Sequence, residues 1–550
     1  MDMNKIVCSI IIYLFSTLLQ LNAQTKYWVK LNDKNGTPYS ISNPSVFLSP
    51  ASVQRRITYN IPVHFTDLPV TPSYVSQIAS VPSVTVLYVS KWLNGIVVSV
   101  TNTLAITTIN SFTFVANTKY VNRYKLDIPK IEQPVFTAYE QMRASSSSTF
   151  NYGGSYWQNK QLNVDCIHAQ GYRGQGITIA VLDAGFLNAN TNPVFDSLFN
   201  RGGVLGTRDF VSGGTNVYDD DVHGEMVLSC MAAIKPNVIM GSAPRANYWL
   251  LRTEDATSEK LVEEYNWIRG AEFADSVGAH VLTTSLGYTT FDNSIQDHTY
   301  ADLDGKTAPM SIAANLAARK GLLVLNAAGN GGGSSWPKIG IPADADSICT
   351  VGAIDSLSNI TNFSSVGPTK DGRIKPDLVA RGGGSWVSSP SGICFQGNGT
   401  SFATPILAGA MACFWQAHSN FSAFKVLDTL KKTASNFASP NNSKGWGVPN
   451  MCAIAITNIP TNNLESSYQL TFTISPNPFN NEVIIALKEF SRSEITIQVY
   501  TILGQLLRTA SASKASNIIN QDLSDLESGV YFIKLSNTAS ASKLTKIVKQ

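Results

Sequence analysis

The chain has 550 residues, a formal net charge of +3 and a charged fraction of only 14%. This length leaves room for roughly two to four domains. The weak net charge argues against a nucleic-acid-binding surface, which requires clustered Lys and Arg, and the seven cysteines form no CxxC or Cys/His pattern typical of a metal site.

Residues 1–23 have the pattern of a secretory signal peptide. Lys5 precedes an apolar run over residues 6–21, and Ala23 stands just before Gln24. We therefore predict cleavage before Gln24. The run is shorter than the about 20 residues of a membrane span, and a signal anchor is the alternative. No later stretch is apolar enough to predict a transmembrane segment.

Residues 24–148 form a small N-terminal region with its own predicted elements. Apolar, β-branched runs predict strands over residues 84–89 and 95–100, and residues 103–109 predict a short helix. The Ser and Thr run at 145–149 predicts a flexible linker. The region is therefore either an independent binding domain or a removable α+β prosegment.

Residues 149–455 alternate continuous apolar runs with helical patterns. This alternation predicts an α/β domain with a mostly parallel sheet covered by helices on both faces, a three-layer fold. The predicted strands are 177–182, 248–251, 281–286 and 322–325, and the predicted helices are 261–277 and 311–320. Ligands bind at the carboxyl ends of such strands. Those ends carry Asp183, Ser285 and, after a short loop, Asn330.

A polar linker over residues 456–468 leads to a third region, residues 469–550. Apolar and polar side chains alternate here, as at Ile495, Ile497 and Val499. A period of two predicts strands with one buried face, so this region is predicted to be a separate small all-β sandwich.

Ser401 lies where a turn sequence changes into an apolar one. From Phe402 onward the sequence is apolar on every side, which predicts a helix buried all round. We place Pro405 in its first turn, where a missing N–H costs little. Ser401 then lies beside free N–H groups that can stabilise an oxyanion. The alternative is a simple N-cap serine.

His223 stands out among the six histidines because it opens a turn that leads into an apolar, small-residue helix. The positive end of a helix favours the neutral imidazole. An unperturbed histidine titrates near about 6.5, so activity is expected to rise between about pH 6 and 8. His64 lies in the N-terminal region, and surface or core packing is the expected role of the other four: His168, His280, His298 and His418.

Asp183 ends a buried predicted strand, where an unpaired carboxylate is costly. An imidazole N–H would supply the partner, and a capped turn aspartate is the alternative. Three acids closer to His223 in sequence are expected to form a solvated turn: Asp219, Asp220 and Asp221.

The order Asp183, His223, Ser401 discriminates between classes of catalytic triad. It differs from the Ser, Asp, His order of α/β-hydrolases and from the chymotrypsin order, which begins with His; it is the subtilisin order. Residues 399–403 also lack the second glycine of the G-x-S-x-G motif.

Over roughly residues 150–455 the chain resembles the subtilisin-like serine peptidases. The matching motifs, in chain order, are Ile179-Ala180-Val181-Leu182-Asp183, His223-Gly224, Gly241-Ser242-Ala243-Pro244, Ser285-Leu286-Gly287, Asn326-Ala327-Ala328-Gly329-Asn330, Phe363-Ser364-Ser365-Val366-Gly367-Pro368 and Gly399-Thr400-Ser401-Phe402-Ala403-Thr404-Pro405.

The resemblance implies a role for each candidate residue. Ser401 would be the nucleophile, His223 the general base and acid, and Asp183 the group that orients it. Asn330 would donate its side-chain amide to the oxyanion. The implied substrate-binding residues are Ser285, Leu286 and Gly287, which pair with substrate backbone, and Ala327, Ala328, Gly329 and Gly340, which line the primary pocket.

Two departures from the family pattern accompany the triad. Glu225 and Met226 follow His223-Gly224 where the family usually has Thr-His. Ala184 follows Asp183 where a Ser or Thr is common, which removes one hydroxyl donor to the carboxylate. The chemistry is expected to need no cofactor; a structural calcium ion stays unassigned, with Asp344 and Asp346 as possible ligands or ordinary loop acids.

The C-terminal region resembles the sorting domain of the type IX secretion system. The motifs are Ser475-Pro476-Asn477-Pro478, Gly504-Gln505, Gly529-Val530-Tyr531 and the terminal residues 543–550. They imply a secreted or cell-surface protein, exported through the periplasm and outer membrane of a Bacteroidetes-type bacterium, with the secretion machinery as partner of residues 469–550. A carbohydrate- or protein-binding sandwich is the alternative.

The expected function is that of a secreted serine endopeptidase, made as a zymogen and acting on proteins or peptides. By the same resemblance, residues 24–148 would be the prosegment. A catalytically inactive, peptide-binding subtilisin-like scaffold is the alternative, and the motif order disfavours an esterase of another fold. Beyond Cys8, in the signal, six cysteines allow 15 pairings, and Cys413 is either a buried free thiol or half of a bridge.

Overall fold

The computed structural model describes residues 25–122, 151–452, 472–487, 495–501, 506–512, 518–536 and 545–550. The predicted signal peptide, the linkers at 145–149 and 456–468, and the predicted signal cleavage site lie outside these residues. The chain divides into two compact units, residues 1–454 and 455–550. None of the helices within the described ranges has the length and apolarity that crossing a bilayer requires.

The N-terminal region is an antiparallel four-stranded sheet with two of its three helices on one face, as expected for an α+β prosegment. Its strands are β1 (Thr25–Leu31), β2 (Val84–Ser90), β3 (Gly95–Val100) and β4 (Val115–Asn122), in the spatial order β2-β3-β1-β4. Its helices are α1 (Pro50–Thr58), α2 (Pro72–Ala79) and α3 (Leu104–Asn110). The predicted strands at 84–89 and 95–100 and the helix at 103–109 are therefore confirmed.

The two faces of this sheet have different partners because successive side chains of a strand point to opposite sides. Val29 and Ile96 pack with Ile78 and Ile109 of the overlying helices. Trp28, next to Val29, faces the other way and packs among residues of the peptidase-like domain.

The central domain is built on a seven-stranded, all-parallel sheet with the order β13-β12-β11-β10-β5-β9-β6. Its strands are β5 (Thr178–Asp183), β6 (Val204–Asp209), β9 (Asn247–Arg252), β10 (Val281–Thr284), β11 (Leu323–Ala327), β12 (Cys349–Ile354) and β13 (Leu378–Arg381). Two antiparallel ribbons are added, formed by β7 (Ile234–Lys235) with β8 (Ile239–Met240) and by β14 (Ser385–Ser388) with β15 (Cys394–Gly397).

Helices cover both faces of the parallel sheet, which confirms the predicted three-layer α/β fold. The helices of this domain are α4 (Tyr156–Lys160), α5 (Val164–Ala169), α6 (Asp196–Asn200), α7 (His223–Ala232), α8 (Val262–Ser276), α9 (Pro309–Arg319), α10 (Thr400–Ala417) and α11 (Ala423–Lys432). Val181 packs in the core that contains α7 and α10. Leu182, the next residue, packs in the core that contains α8 and α9.

The strand order positions the site. After β5 the chain builds β6 and β9 on one side, then crosses to build β10 and the remaining strands on the other. The carboxyl ends of β5 and β10 therefore form a topological switch point, the usual place for a ligand in an open parallel sheet. Leu182 opposes Thr284 in the register, so the next residues, Asp183 and Ser285, lie at the same edge.

The C-terminal unit consists of two antiparallel sheets that share one apolar core, the predicted small sandwich. One sheet contains β16 (Phe472–Ser475), β17 (Glu482–Leu487) and β20 (Ile518–Asp522); the other contains β18 (Ile495–Thr501), β19 (Leu506–Ala512), β21 (Gly529–Ser536) and β22 (Thr545–Lys549). Ile495, Ile497 and Val499 are buried in this core as their alternation predicted.

A single pairing among the six candidate cysteines is present in the described residues. Cys166 and Cys452 form a disulfide that joins the beginning of the central domain to its end. Cys230, Cys349, Cys394 and Cys413 are free thiols. Of the two alternatives for Cys413, the buried free thiol is therefore the observed one.

Candidate active site

Asp183 and His223 form a direct contact at the carboxyl edge of the sheet. Asp183 is the last residue of β5 and is completely buried, and His223 is the first residue of α7. The Nδ1 of His223 lies 2.7 Å from Oδ1 of Asp183. Gly224 permits this approach, since a Cβ there would lie 2.2 Å from the carbonyl oxygen of Gly185.

The surroundings of the Asp183 carboxylate reflect the missing hydroxyl at position 184. The backbone N–H of Ala184 donates to Oδ1 at 2.9 Å. The buried Oδ2 has no hydrogen-bond partner among the described residues. Asp183 therefore contacts His223 through one oxygen only. Its other oxygen is a buried acceptor without a donor, which costs free energy.

The three acids before His223 are not simply a solvated turn. Asp221 accepts the backbone N–H of His223 at 2.8 Å and so satisfies a free donor at the start of α7. Asp220 pairs with Arg252, 3.1 Å away. The prediction of a solvated turn is therefore wrong for two of the three acids, because the helix start and a strand-end arginine both need acceptors.

The pKa of His223 differs from the sequence expectation. Burial by itself would lower this pKa, but the charge and hydrogen bond of Asp183, aided by Glu254, raise it to about 9. The expectation that the helix dipole keeps the ring neutral near pH 7 is wrong. A full negative charge in contact outweighs the roughly half charge of a helix end.

We therefore expect kcat/KM to rise with pH through a limb centred near pH 9 rather than between about pH 6 and 8. Only a neutral imidazole can accept a proton, and protonation persists to higher pH when the pKa is raised. The measurement is kcat/KM for a neutral peptide from pH 6 to 11. A limb centred below pH 8, with chemistry rate-limiting, would contradict the raised pKa.

Ser401 is the second residue of α10, a helix buried over residues 400–415. The all-round burial predicted for this helix is confirmed. Gly399 occupies the N-cap position, so the N-cap alternative for Ser401 is wrong. The Ser401 Oγ lies 3.4 Å from the carbonyl oxygen of Ser285, to which it donates. No hydrogen bond joins Ser401 Oγ to His223 among the described residues.

Pro405 is the sixth residue of α10, not a residue of its first turn as predicted. Because proline has no N–H, the carbonyl of Ser401, four residues earlier, has no helical donor. The Oγ of Ser285 donates to that carbonyl at 2.8 Å instead. Pro405 thus frees a carbonyl that ties the serine to the end of β10, next to Asp183.

Asn330 lies on an exposed loop beyond β11 and contacts the start of α10. Its Oδ1 accepts the backbone N–H and the hydroxyl of Thr400, each at 2.9 Å. This arrangement uses the amide oxygen and leaves the Nδ2 group available to donate. The amide and the N-terminal N–H groups of α10 can therefore act on the same anionic atom.

The predicted substrate-binding residues also converge. The N–H of Gly340 donates to the carbonyl of Ala328 at 3.4 Å, and a Cβ on Gly340 would lie 3.7 Å from the backbone of Gly287. Gly329 has a φ of +107°, a conformation that side chains disfavour. The seven predicted residues lie on three neighbouring segments, Ser285-Leu286-Gly287, Ala327-Ala328-Gly329 and Gly340.

Glu225, the departure from the family pattern two residues after His223, is completely buried. The Nδ2 of Asn192 donates to Oε1 at 2.7 Å, and Oε2 has no partner within the described ranges. Burial raises the pKa of Glu225 to about 9. The raised pKa favours the neutral acid at pH 7, and the side chain contacts Asn192 rather than the imidazole.

Glu254 was not among the predicted site residues. It lies two residues beyond β9, and its charge acts on His223. The Tyr288 hydroxyl donates to its Oε2 at 3.1 Å, and burial together with the charge of Asp183 raises the pKa of Glu254 to about 7. The sequence signal that was available is its place at the end of a predicted parallel strand.

The remaining candidates lie apart from this site. His168 is buried and its ring contacts Tyr152 and the Ser242 carbonyl, a packing role as expected. Asp344 is buried and accepts from Gly305 and Ser311, whereas Asp346 is exposed near Arg373. Within the described residues, no three His, Cys, Asp or Glu side chains converge as a metal site would require.

Comparison with known families covers all three regions. The subtilase family, peptidase S8, matches residues 174–447. The peptidase S8 propeptide domain of Bacteroidota matches residues 26–135, and a secretion system C-terminal sorting domain matches residues 473–550. The sorting domain indicates a secreted or cell-surface location in a bacterium of the Bacteroidetes type.

Individual relatives match the central domain. Subtilisin NAT of Bacillus subtilis subsp. natto is 33% identical over 279 residues, which are 50% of this chain and 65% of that protein. Subtilisin of Bacillus pumilus is 32% identical over 283 residues, 51% of this chain and 91% of that protein. The chain thus spans just under two thirds of the first relative. The crystal structure of MycP1 without its N-terminal propeptide aligns at 22% identity and a TM-score of 0.44, covering 56% of this chain and 98% of that one.

Proposed function

This chain belongs to the subtilase family, and we propose that it is a secreted serine endopeptidase that is made as a zymogen. The observation that carries the proposal is the contact between Asp183 and His223 at the sheet edge that also holds Ser401. The substrates are proteins or peptides, bound along Ser285, Leu286 and Gly287.

In the proposed reaction, Ser401 Oγ attacks the scissile carbonyl and His223 Nε2 accepts its proton. The bond from Nδ1 to Asp183 holds the ring in the tautomer that leaves Nε2 free to accept. The oxyanion is stabilised by the Ser401 N–H, free at the start of α10, and by Nδ2 of Asn330. His223 then returns the proton to the leaving amine, and water repeats the sequence on the acyl-enzyme.

Residues 24–148 act as a prosegment in this proposal. Helix α1 and the turn that contains Asp67 contact α8 and the residue after α9 through buried ion pairs. Asp275 pairs with Arg55 and Arg56, and Lys320 pairs with Asp67. Removing one partner of such a pair leaves an unpaired buried charge, which is destabilising. In this proposal the pairs therefore hold the N-terminal region on the central domain until the whole region is removed.

An inactive, peptide-binding scaffold is the alternative, and a fluorophosphonate probe separates the two. The probe reacts only with an activated serine. We expect the processed enzyme to be labelled on the peptide that contains Ser401 and heat-unfolded enzyme not to be labelled. A processed, folded protein that binds peptides but takes no label would support the scaffold.

We further propose that residues 469–550 are the export address that type IX secretion machinery reads. The C-terminal unit has its own core and contains none of the candidate site residues. Truncation after about residue 460 should therefore leave peptide hydrolysis in refolded protein and trap the enzyme in the periplasm of a native host. Activity assays and cell fractionation measure the two effects. Normal secretion of the truncated chain would refute the sorting role.

A further inference from the structure

Glu254 is a half-buried carboxylate beside the catalytic pair that the proposed reaction does not use. Arg252, the last residue of β9, opposes Asp183 in the sheet register, and Glu254 follows two residues later. Glu254 is close enough to influence the titration of His223. A carboxylate in this place lies at the sheet edge to which the proposed function assigns the substrate.

Glu254 is held in place by Tyr288, which follows the predicted substrate-pairing segment, residues 285–287. Tyr288 follows Ser285, Leu286 and Gly287 directly and is completely buried. Its backbone exchanges two hydrogen bonds with Ile341, and its hydroxyl donates to Glu254. The carboxylate is therefore held alongside the segment on which a substrate strand would lie.

Among the described residues this carboxylate has neither a Lys nor an Arg side chain as partner. Within the described ranges, neither Lys nor Arg forms an ion pair with Glu254, and Arg252 is already paired with Asp209 and Asp220. Glu263 lies near Glu254, is 1% exposed, and has an Oε2 without a hydrogen-bond partner. The place thus has two acidic groups whose nearby cation is the imidazolium of His223, and that ring loses its charge as the pH rises through its pKa of about 9.

The geometry of strand pairing says which substrate side chain reaches Glu254. Alternate side chains of a strand point to opposite sides. One substrate side chain would enter the pocket at Ala328 and Gly340, on the β11 side of Ser285. The side chain of the preceding substrate residue would then point to the opposite side. On that side lie β5 and β9, with His223 and Glu254.

We propose that Glu254 is a specificity-determining residue that accepts a Lys or Arg side chain on the substrate residue immediately before the one whose carbonyl is cleaved. The proposal rests on the proposed function, because it assumes a peptide bound along residues 285–287. When His223 is neutral, the form that the proposed reaction requires, the cation of the substrate supplies the positive charge beside Glu254.

The test compares two peptides that differ only at that residue, arginine in one and citrulline, its neutral isostere, in the other. At pH 9 we expect the enzyme to favour the arginine peptide in kcat/KM by about tenfold, the scale of one charge-assisted hydrogen bond. Glu254→Gln should bring the ratio close to one. Asp428→Asn, on α11, removes the same charge and should keep the tenfold ratio.

Because both peptides are measured on one preparation, a loss of folded enzyme cancels from the ratio. An unchanged ratio in Glu254→Gln, or no preference in the unaltered enzyme, would overturn the proposal while leaving the peptidase assignment intact. Failure of the unaltered enzyme to cleave either peptide or to take the fluorophosphonate label would instead count against the proposed function. Glu254→Lys should reverse the preference toward a glutamate at the same position.

Discussion

Ser401→Ala should abolish peptide hydrolysis and leave the fold intact. The change removes the oxygen that the proposed reaction uses as nucleophile. Removal of the triad serine of subtilisin lowers kcat on the order of a millionfold, and we expect a loss of similar size here. The bond from Ser285 Oγ goes to the backbone carbonyl of Ser401, so it survives the substitution. The measurement is kcat with purified, processed protein.

Ser356→Ala, in an exposed loop, is the matched control and should retain full activity. Equal thermal unfolding midpoints for the two variants and the unaltered chain would show that the fold is preserved. Substantial residual turnover in Ser401→Ala, after removal of contaminating peptidase, would mean that another group is the nucleophile.

Asp183→Asn should lower kcat by about ten-thousandfold. An asparagine amide in this place donates to Nδ1 of His223, which leaves Nε2 protonated and unable to accept from Ser401. The substitution also removes the contact charge that raises the pKa of His223, so the residual activity should have a rising limb at lower pH than that of the unaltered enzyme. The pH profile of kcat/KM measures both effects.

Asp346→Asn is the control here, because its carboxylate is exposed and its removal changes the net charge equally. A loss of less than about tenfold in Asp183→Asn would be smaller than removal of an orienting carboxylate produces. In that case Asp183 would be only a turn residue, the alternative that its sequence position left open.

The arrangement of the catalytic elements was predictable from local sequence because each one depends on a short-range pattern. The apolar run that ends at Asp183 predicts a buried strand in a parallel sheet, and the last residue of such a strand lies at the carboxyl edge. The passage from turn residues to an all-apolar stretch at Ser401 likewise specifies a helix start. Chain order then distinguished the subtilisin arrangement from other triads.

The prosegment and the sandwich were predictable for the same reason. The alternation at Ile495, Ile497 and Val499 determines which face of that strand is buried. The β-branched runs at 84–89 and 95–100 indicate that these segments are strands. Their pairing order is not contained in such patterns, because a period of two is equally compatible with any neighbour.

Only the tertiary structure decided which charges and hydrogen-bonding groups from segments distant in sequence come into contact. The pKa of His223 depends on a carboxylate 40 residues away, and the helix start that sequence reasoning relied on is the weaker influence. Ser285 satisfies the carbonyl that Pro405 leaves free across 116 residues. Neither partner can be read from the neighbourhood of the residue it affects.

Two further pairings also join segments that are distant in sequence: the disulfide between Cys166 and Cys452, and the approach of Glu254 to His223. By itself, the sequence determined the elements, their buried faces and the identity of the reactive groups, since these depend on residues within one or two turns. The disulfide partner, the raised pKa values and the place of Glu254 beside His223 were decided by folding, because Coulomb and hydrogen-bond energies depend on distance in space, not on separation along the chain.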